Sequence, residues 1–221
     1  IDDGNALCKA TLPDWLFKGP VDDAGGVHQP QGSWNPATQT FEPKRVLPVY
    51  QRQHFPEAVL GSQAQGFETA GKTLHEDDAI RLWTMDDPVV IASIKTKMHA
   101  IGMEVTAGLE KAVELAEAAY QGVVIWSGDE PFSAGADLQA MLPGFMMGGV
   151  AAIDEVEGEL QRVMLRLRYA NVPVVSAIRG LALGGGCEMA IHSARRVVHM
   201  ESYVGLVEVG VGLVPGAGGL T

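Results

Sequence analysis

Two short apolar runs, each followed by a loop of small residues, constrain the fold of this chain more than any other feature. The first, GVVIWSG (122–128), leads through FSAGADL (132–138) toward a helix-like stretch. The second, VPVVSAIRG (172–180), leads through LALGGGCE (181–188) into another. Short runs rich in valine and isoleucine and bounded by glycine are typical of buried strands. A buried strand that feeds a helix twice predicts an α/β domain.

Periodicity extends this pattern over much of the chain. AIRLWTMDDPVVIASIKT (79–96) alternates around an Asp-Asp-Pro turn, which predicts a hairpin. EVTAGLEKAVELAEAAY (104–120) has apolar residues at helical spacing, and a second helix is predicted over Val150–Tyr169. Asp137 is the expected N-cap of a helix that follows the first loop. With a further helix from Cys187 and a strand in RRVVHM, the order is β-β-α-β-α-β-α-β.

The first 73 residues differ from the remainder. Prolines are dense in segments such as QPQGSWNPATQTFEPKRVLPVY (29–50), and apolar periodicity is weak. Proline fixes φ and removes a hydrogen-bond donor, which disfavours long helices and central strands. We therefore expect a Pro-rich N-terminal extension over 1–73, either a linker with ordered turns or the tail of a preceding domain near Leu12–Phe17. The core domain is expected over 74–221.

Composition excludes several classes of function. The net charge of −11, from 16 basic and 27 acidic residues, argues against a nucleic-acid interface, which needs a basic face. Cys8 and Cys187 lie far apart, which suits a reducing cytoplasm, and the six histidines show no metal-ligand spacing. No apolar run is long enough for a membrane span. Because the chain starts at isoleucine and stops at PGAGGLT, we expect it to be a piece of a longer protein.

The two small-residue loops are candidates for chemistry. Free backbone N–H groups at helix starts attract negative charge, and two that point at one spot form an oxyanion hole. Glu188 follows the second loop within one helical turn. The alternative is that these loops are only tight turns or phosphate cradles. The dinucleotide pattern G-x-G-x-x-G is not met, and no Gly-Lys-Ser/Thr follows for a phosphate loop.

A second carboxylate stands in an otherwise apolar stretch, YVGLVEVGVGLVPGAGG (203–219). Glu208 is there either exposed at an edge or buried with a raised pKa. A carboxyl group with a raised pKa is suited to donating a proton near neutral pH.

Three motifs, PFSAGADL, ALGGGCEMA and VEVGVGLVPGAGG, together resemble the crotonase family of enoyl-CoA hydratases and isomerases. The resemblance covers about Arg81 to Thr221. It implies a spiral of β-β-α units with two nearly perpendicular sheets, and a coenzyme A (CoA) thioester as substrate. By resemblance, the oxyanion hole is formed by the backbone N–H groups of Ala136 and Gly185. The family's C-terminal helices, which close the acyl pocket and build trimers, would be missing after Thr221.

The same resemblance assigns roles to the two glutamates. Glu188 would hold and activate the water that attacks the β-carbon, and Glu208 would supply the proton at the α-carbon. Related isomerases commonly keep one of the two, so the presence of both favours hydration of 2-trans-enoyl-CoA. An isomerase of the same fold and a non-catalytic acyl-CoA-binding domain remain alternatives.

Further substrate-binding residues are expected around these loops. Lys97, with Lys95, either meets the CoA phosphates or is only solvated. Cys187 is expected to be a packed small residue, and Met141, Met146 and Met147 either belong to the core or line an adaptable acyl pocket. The remaining candidates are expected to line the CoA channel or approach the thioester, with Asp137 equally suited to capping a helix: Asp137, Leu138, Gln139 and Gly184.

The front segment resembles the join found in bifunctional β-oxidation proteins, in which a 3-hydroxyacyl-CoA dehydrogenase domain precedes a hydratase domain. The resemblance rests on LPDWL (12–16) and LPVYQRQHFPE (47–57). It implies that NAD is used only if such a domain precedes this chain, and no cofactor is expected within the chain itself. The expected partners are an acyl-CoA substrate and either further copies of the chain or an intramolecular dehydrogenase domain.

Overall fold

The structure is a computed structural model that describes residues 11–55, apart from 44, 46 and 49, and residues 67–220. Cys8 and parts of LPVYQRQHFPE, at positions 49, 56 and 57, lie outside the described residues, as does Thr221. The chain divides into two compact units, Ile1–Thr69 and Ala70–Thr221.

The first unit contains a small antiparallel sheet that the sequence did not predict. Its elements are a 3-10 helix (Asp14–Leu16), α1 (Pro20–Asp23), β1 (His28–Gln29), β2 (Gly32–Asn35), β3 (Thr40–Glu42) and a 3-10 helix (Tyr50–Arg52), with strand order β1-β2-β3. The Asn35 side chain accepts a hydrogen bond from the Ala37 N–H at 2.9 Å, which fixes the turn between β2 and β3. Trp34 packs against Phe41, with ring centroids 5.3 Å apart.

The second unit is built on a six-stranded sheet. Its strands, in chain order with those of a smaller sheet, are β4 (Lys72–Glu76), β5 (Ile80–Thr84), β6 (Val90–Ile94), β7 (Val123–Ile125), β8 (Val174–Ile178), β9 (Leu181–Leu183), β10 (Arg195–Val198) and β11 (Tyr203–Gly205). The large sheet has the order β10-β8-β7-β6-β5-β4. Strands β4, β5 and β6 are antiparallel, and β6, β7, β8 and β10 are parallel. The predicted hairpin and both predicted buried strands are therefore confirmed.

Three helices pack around this sheet: α2 (Met103–Ala119), α3 (Leu138–Arg168) and α4 (Gly185–His192). The apolar stripe predicted for α2 is fully buried, with Val105, Leu109 and Val113 at 0% exposure. The two helices predicted on either side of residue 149 are one element in the structure, interrupted at Gly149, where φ is 59° and ψ is −144°. Asp137 caps this helix as predicted, because its Oδ1 accepts a hydrogen bond from the Ala140 N–H at 3.0 Å.

A smaller layer carries the loops of interest. Strands β9 and β11 pair in parallel, and single bridges join Ser133 to Ala182 and Ile101 to Ala136. The segments 98–101, 133–137 and 181–185 are thereby held side by side. No helix among the described residues is long and apolar enough to cross a membrane.

Candidate active site

Two backbone N–H groups lie close together where α4 begins. Gly185 is the first residue of α4, and Ala136 lies in the loop before α3. A Cβ atom placed on Gly185 would lie 3.3 Å from the Ala136 nitrogen. The neighbouring amides of Asp137 and Gly184 donate to Ile101 and Gly205. Within the described part of the chain, the N–H groups of Ala136 and Gly185 donate no hydrogen bond, and both line one cavity.

Glycine is required in this loop for conformation and for close approach. Gly184 has a φ of 50° and a ψ of −120°, a backbone conformation that glycine adopts readily and residues with a side chain rarely do. Gly186 lies against the neighbouring loop, because an added Cβ would lie 2.8 Å from both the carbonyl oxygen and the Cβ of Ser133. The bare backbone therefore allows α4 to begin directly against the loop that carries Ala136.

Glu188 is buried at the bottom of the cavity. Its side chain is in the first turn of α4, and the residue is 2% exposed. The Gly219 N–H donates to its Oε1 at 2.9 Å. Burial raises the pKa of Glu188, the hydrogen bond from Gly219 opposes this shift, and the charges of Glu208 and Glu157 add to it. A carboxyl group in this state can exchange a proton nearer to neutral pH than an exposed one.

Glu208 reaches the cavity from a 3-10 helix, Glu208–Val211. The residue is half-buried, and a Cβ atom on Gly184 would lie 3.1 Å from its Oε1. Its Oε2 is shielded from solvent and has no hydrogen-bond partner in the part of the chain described. Of the two alternatives left open by the sequence, exposure at an edge is therefore wrong for this oxygen.

The cavity holds about 120 Å³ and brings the predicted groups together. Since a water molecule occupies roughly 30 Å³ in the liquid, this space admits a water beside a small part of a ligand. The walls combine both glutamates, both free N–H groups and apolar side chains that include Ile101, Leu160, Val207 and Val211. Such a site can stabilise a developing oxyanion and transfer protons beside it.

Glu157 also lines this cavity, and the sequence did not identify it. It lies in an acidic run, DEVEGE (154–159), which is typical of a solvated helix face. Helical spacing could have identified it, because Glu157 precedes Leu160 by three residues and Met164 by seven and therefore lies on the same face of the helix. Both of these residues are buried.

The other predicted binding residues are spread around the cavity. Gly184 and Leu138 line it, whereas Asp137, Gln139 and Lys97 do not. Gln139 and Lys97 are exposed. Their contact with a CoA moiety stays a prediction.

Lys95, predicted either to meet the CoA phosphates or to be solvated, has partners within the protein. Lys95 donates to Glu76 Oε1 at 2.9 Å and to the Asp77 carbonyl at 2.6 Å, so its ammonium group is already paired.

Cys187 is buried as predicted, and burial, followed by the charges of the cavity glutamates, raises its pKa. The core assignment holds for Met141 but is wrong for Met146 and Met147, which are 80% and 90% exposed. They precede the interruption at Gly149, on a face that does not meet the core.

A larger open cleft of about 620 Å³ lies elsewhere in the second unit, beside the N-terminal half of α2. It contains His75, Asp77 and Lys111 but none of the three cavity glutamates. Despite its size, the cleft is the weaker candidate, because its lining includes neither the two free N–H groups nor the cavity glutamates.

Comparison with known proteins identifies the family. The enoyl-CoA hydratase/isomerase model matches residues 75–221. The chain belongs to this family. The crotonase-like α/β fold predicted from the sequence is therefore confirmed.

Individual relatives agree with this assignment. Over 152 residues, the chain is 35% identical to a protein of Bacillus subtilis named "Probable 3-hydroxyacyl-CoA dehydrogenase", covering 69% of this chain and 19% of that protein. It is 39% identical over 106 residues to the fatty acid oxidation complex subunit alpha of Pseudomonas syringae, covering 47% and 14%. The enoyl-CoA hydratase structure from Bacillus anthracis matches with a TM-score of 0.57 and 25% identity, covering 63% of this chain and 55% of that one. The chain thus spans about a fifth or less of these curated relatives.

Proposed function

We propose that this chain carries an enoyl-CoA hydratase site, which adds water to 2-trans-enoyl-CoA to form 3-hydroxyacyl-CoA in fatty-acid β-oxidation. The observation that supports this most strongly is the shared cavity, in which two glutamates face the same space as two free backbone N–H groups. A fold retained only for binding has no need of unpartnered, buried carboxylate oxygens, since these cost free energy.

The thioester carbonyl would accept hydrogen bonds from the Ala136 and Gly185 N–H groups. Negative charge grows on this oxygen when a nucleophile attacks the β-carbon of the enoyl group. Donors that are already in place stabilise that charge without reorganising, and removing one such donor typically costs about 10²–10³-fold in rate. The position of Gly185 at the start of α4 adds the favourable end of the helix dipole.

The two glutamates would divide the proton transfers. Glu188, in its ionised form, takes a proton from water while the water oxygen bonds to the β-carbon. Glu208, in its protonated form, gives its proton to the α-carbon as the enolate collapses. The sum is the addition of one water across the double bond, and a proton returns from Glu188 to Glu208 through solvent to complete the cycle.

The wider setting is also part of the proposal. The product, a 3-hydroxyacyl-CoA, is the substrate class of a 3-hydroxyacyl-CoA dehydrogenase, and the Bacillus subtilis relative bears that name. We infer that the chain works within a bifunctional enzyme, in which NAD would bind the dehydrogenase part. Lys97, Asp137, Leu138, Gln139 and Gly184 are the proposed contacts of the CoA moiety. Self-association and a cytoplasmic location stay predictions.

The test is to supply the protein with a 2-trans-enoyl-CoA and separately with a 3-enoyl-CoA. We expect loss of the conjugated enoyl absorbance from the first, with 3-hydroxyacyl-CoA identified by chromatography. Appearance of that absorbance from the second alone would make the protein an isomerase, and binding of both without turnover would make it an acyl-CoA-binding domain.

The Glu208→Gln variant tests the assigned proton donor. We expect it to bind acyl-CoA normally and to lose hydration by about 10²–10⁴-fold, the usual contribution of a general acid. A loss below about tenfold would remove Glu208 from the role.

A further inference from the structure

Glu157 is a half-buried residue whose carboxylate lines the cavity and which neither proposed proton transfer uses. Its Oε2 is shielded from solvent and has no hydrogen-bond partner among the residues described. One turn later on α3, the Gln161 side chain donates to the Gly216 carbonyl at 2.8 Å, which holds this part of the helix against the 216–219 loop. The carboxyl group is therefore positioned by the fold, unlike those of the exposed glutamates on the same helix.

The opposing loop leaves room for this side chain. A Cβ atom on Gly216 would approach Glu157 Oε2 to 2.4 Å. The same loop provides the Gly219 N–H that binds Glu188. One loop thus borders two of the three carboxyl groups.

The lysine and arginine ion pairs of the described residues all involve other carboxylates. Among these residues, no Lys or Arg forms an ion pair with Glu157, Glu188 or Glu208. The pKa of Glu157 is raised by burial and then by the charge of Glu208, and the charge of Glu157 in turn raises that of Glu188. Like charges that share a small site cannot all ionise at the pH of an isolated carboxyl group.

Other titratable groups near this region are few. On α4 they are Cys187 and His192, whose Nδ1 pairs with the Glu188 carbonyl oxygen at 2.8 Å. On α3, Glu159 pairs with Arg162, and Asp154, Glu155 and Arg168 are exposed. On α2, Glu117 pairs with Arg166, the charges of Glu110 and Glu114 act on Arg166, Lys111 contacts His75, and Glu104 is exposed.

We propose that Glu157 is a third carboxyl group of the reaction site. At alkaline pH its negative charge keeps one proton on the Glu188–Glu208 pair, and this is the proton that hydration transfers to the α-carbon. This inference rests on the proposed hydratase function. Glu157 acts through the other two glutamates and is a positioning residue in the electrostatic sense. It extends the active pH range upward, since a pair without the third charge would lose its last proton at lower pH.

The test compares the pH dependence of kcat in Glu157→Gln with that of the unmodified protein. We expect the alkaline side of the kcat–pH profile to move to lower pH by about one unit, the size expected when a like charge is removed from a shared, partly buried site. The acid limb should move less, because Glu157 is itself protonated there. The matched control is Glu155→Gln, which removes an exposed charge two residues away on the same helix and should leave both limbs unchanged.

A second measurement does not depend on activity. Infrared spectroscopy can follow the titration of the protonated carboxyl groups in the ligand-free protein. The carboxyl group that titrates at the highest pH should do so at a lower pH in Glu157→Gln than in the unmodified protein. If this shift occurs in a protein that does not hydrate enoyl-CoA, the proposed function fails and proton sharing stands. If the midpoint and the alkaline limb both stay unchanged, the role of Glu157 is overturned. Glu157→Leu, which leaves no unsatisfied polar atom, replaces the Gln variant if that variant does not fold, and the same results decide.

Discussion

Replacing Gly186 with alanine tests whether close packing between two loops sets the geometry of the proposed oxyanion hole. The added Cβ would lie 2.8 Å from both the Cβ and the carbonyl oxygen of Ser133. Non-bonded carbon atoms prefer about 3.5–4.0 Å, so the two segments must separate by roughly 0.7 Å or more. Helix interiors favour alanine over glycine by about 1 kcal/mol, and Gly186, in the first turn of α4, gains at most that much.

Hydrogen bonds on both the backbone and the side chain hold Ser133 in place. Its N–H donates to the Leu181 carbonyl at 3.0 Å, and its own carbonyl accepts from Leu183 at 3.0 Å. Its hydroxyl donates to the His99 carbonyl at 2.7 Å. The displacement must therefore fall on the start of α4, which moves the Gly185 N–H away from the Ala136 N–H.

The expected result combines a kinetic and a thermodynamic change. A misplacement near 1 Å at a reacting centre can cost up to about 10²-fold, so we expect kcat for enoyl-CoA hydration to fall by about 10–100-fold with a smaller change in KM. Overpacking costs about 1–3 kcal/mol, which the helix preference of alanine partly offsets, so urea unfolding should show a net loss of about 1 kcal/mol. Gly144→Ala is the control, because a Cβ there meets nothing within 4 Å. Unchanged kcat and stability in Gly186→Ala would refute the packing argument.

Two further variants test how the loop and the helices are held. His99 is buried with a φ of 48°, and its Nδ1 lies 2.5 Å from the Pro131 carbonyl oxygen. In urea unfolding, His99→Ala should lose about 1 kcal/mol more of the free energy of unfolding than His99→Asn, because asparagine tolerates the left-handed region. Equal losses in the two variants would contradict this. Glu117 is bound by both terminal nitrogens of Arg166, at 2.8 and 2.6 Å, and this pairing first, with Asn171, lowers its pKa from 4.5 to about 2. A lowered folded-state pKa stabilises the protein above pH 4.5 and this contribution is lost toward pH 2, so the difference in Tm between the unmodified protein and Glu117→Gln should narrow over that range. A difference that does not change with pH would show that the pairing adds nothing.

The local sequence pattern was sufficient to predict the long helices, but it did not predict short or edge strands whose formation depends on distant parts of the chain. The stripe on α2 predicted its buried face because a 3.6-residue period needs only neighbouring residues. Strand β9 has only three residues and exists through pairing with β11, 22 residues later along the chain. Strand β4 lies at the edge of the large sheet and is mostly exposed, so its sequence, KTLHE, carries little apolar signal.

The candidate site shows the same division. Glu188 and Glu208 were found because a carboxylate stands out beside glycines and valines, and the family resemblance linked them. Glu157 did not stand out, because its sequence neighbours are acidic and only tertiary packing turns it toward the cavity. Lys97 was selected by charge type, whereas its actual exposure depends on a 3-10 turn, Lys97–His99, that no local pattern indicated.

Two glycines around the cavity make space for carboxylates, a role separate from the thioester approach proposed for Gly185. Gly184 has only 3.1 Å between a hypothetical Cβ and Glu208 Oε1, and Gly216 has 2.4 Å to Glu157 Oε2. A side chain at either position would push a carboxylate out of its present place. Because the reach of a carboxylate toward a ligand depends on where it is held, these glycines would act on the proposed chemistry through the glutamates. The glycine-rich loops therefore have one structural role, the placement of these acids, and under the proposed function a second one, the close approach of a thioester to Gly185.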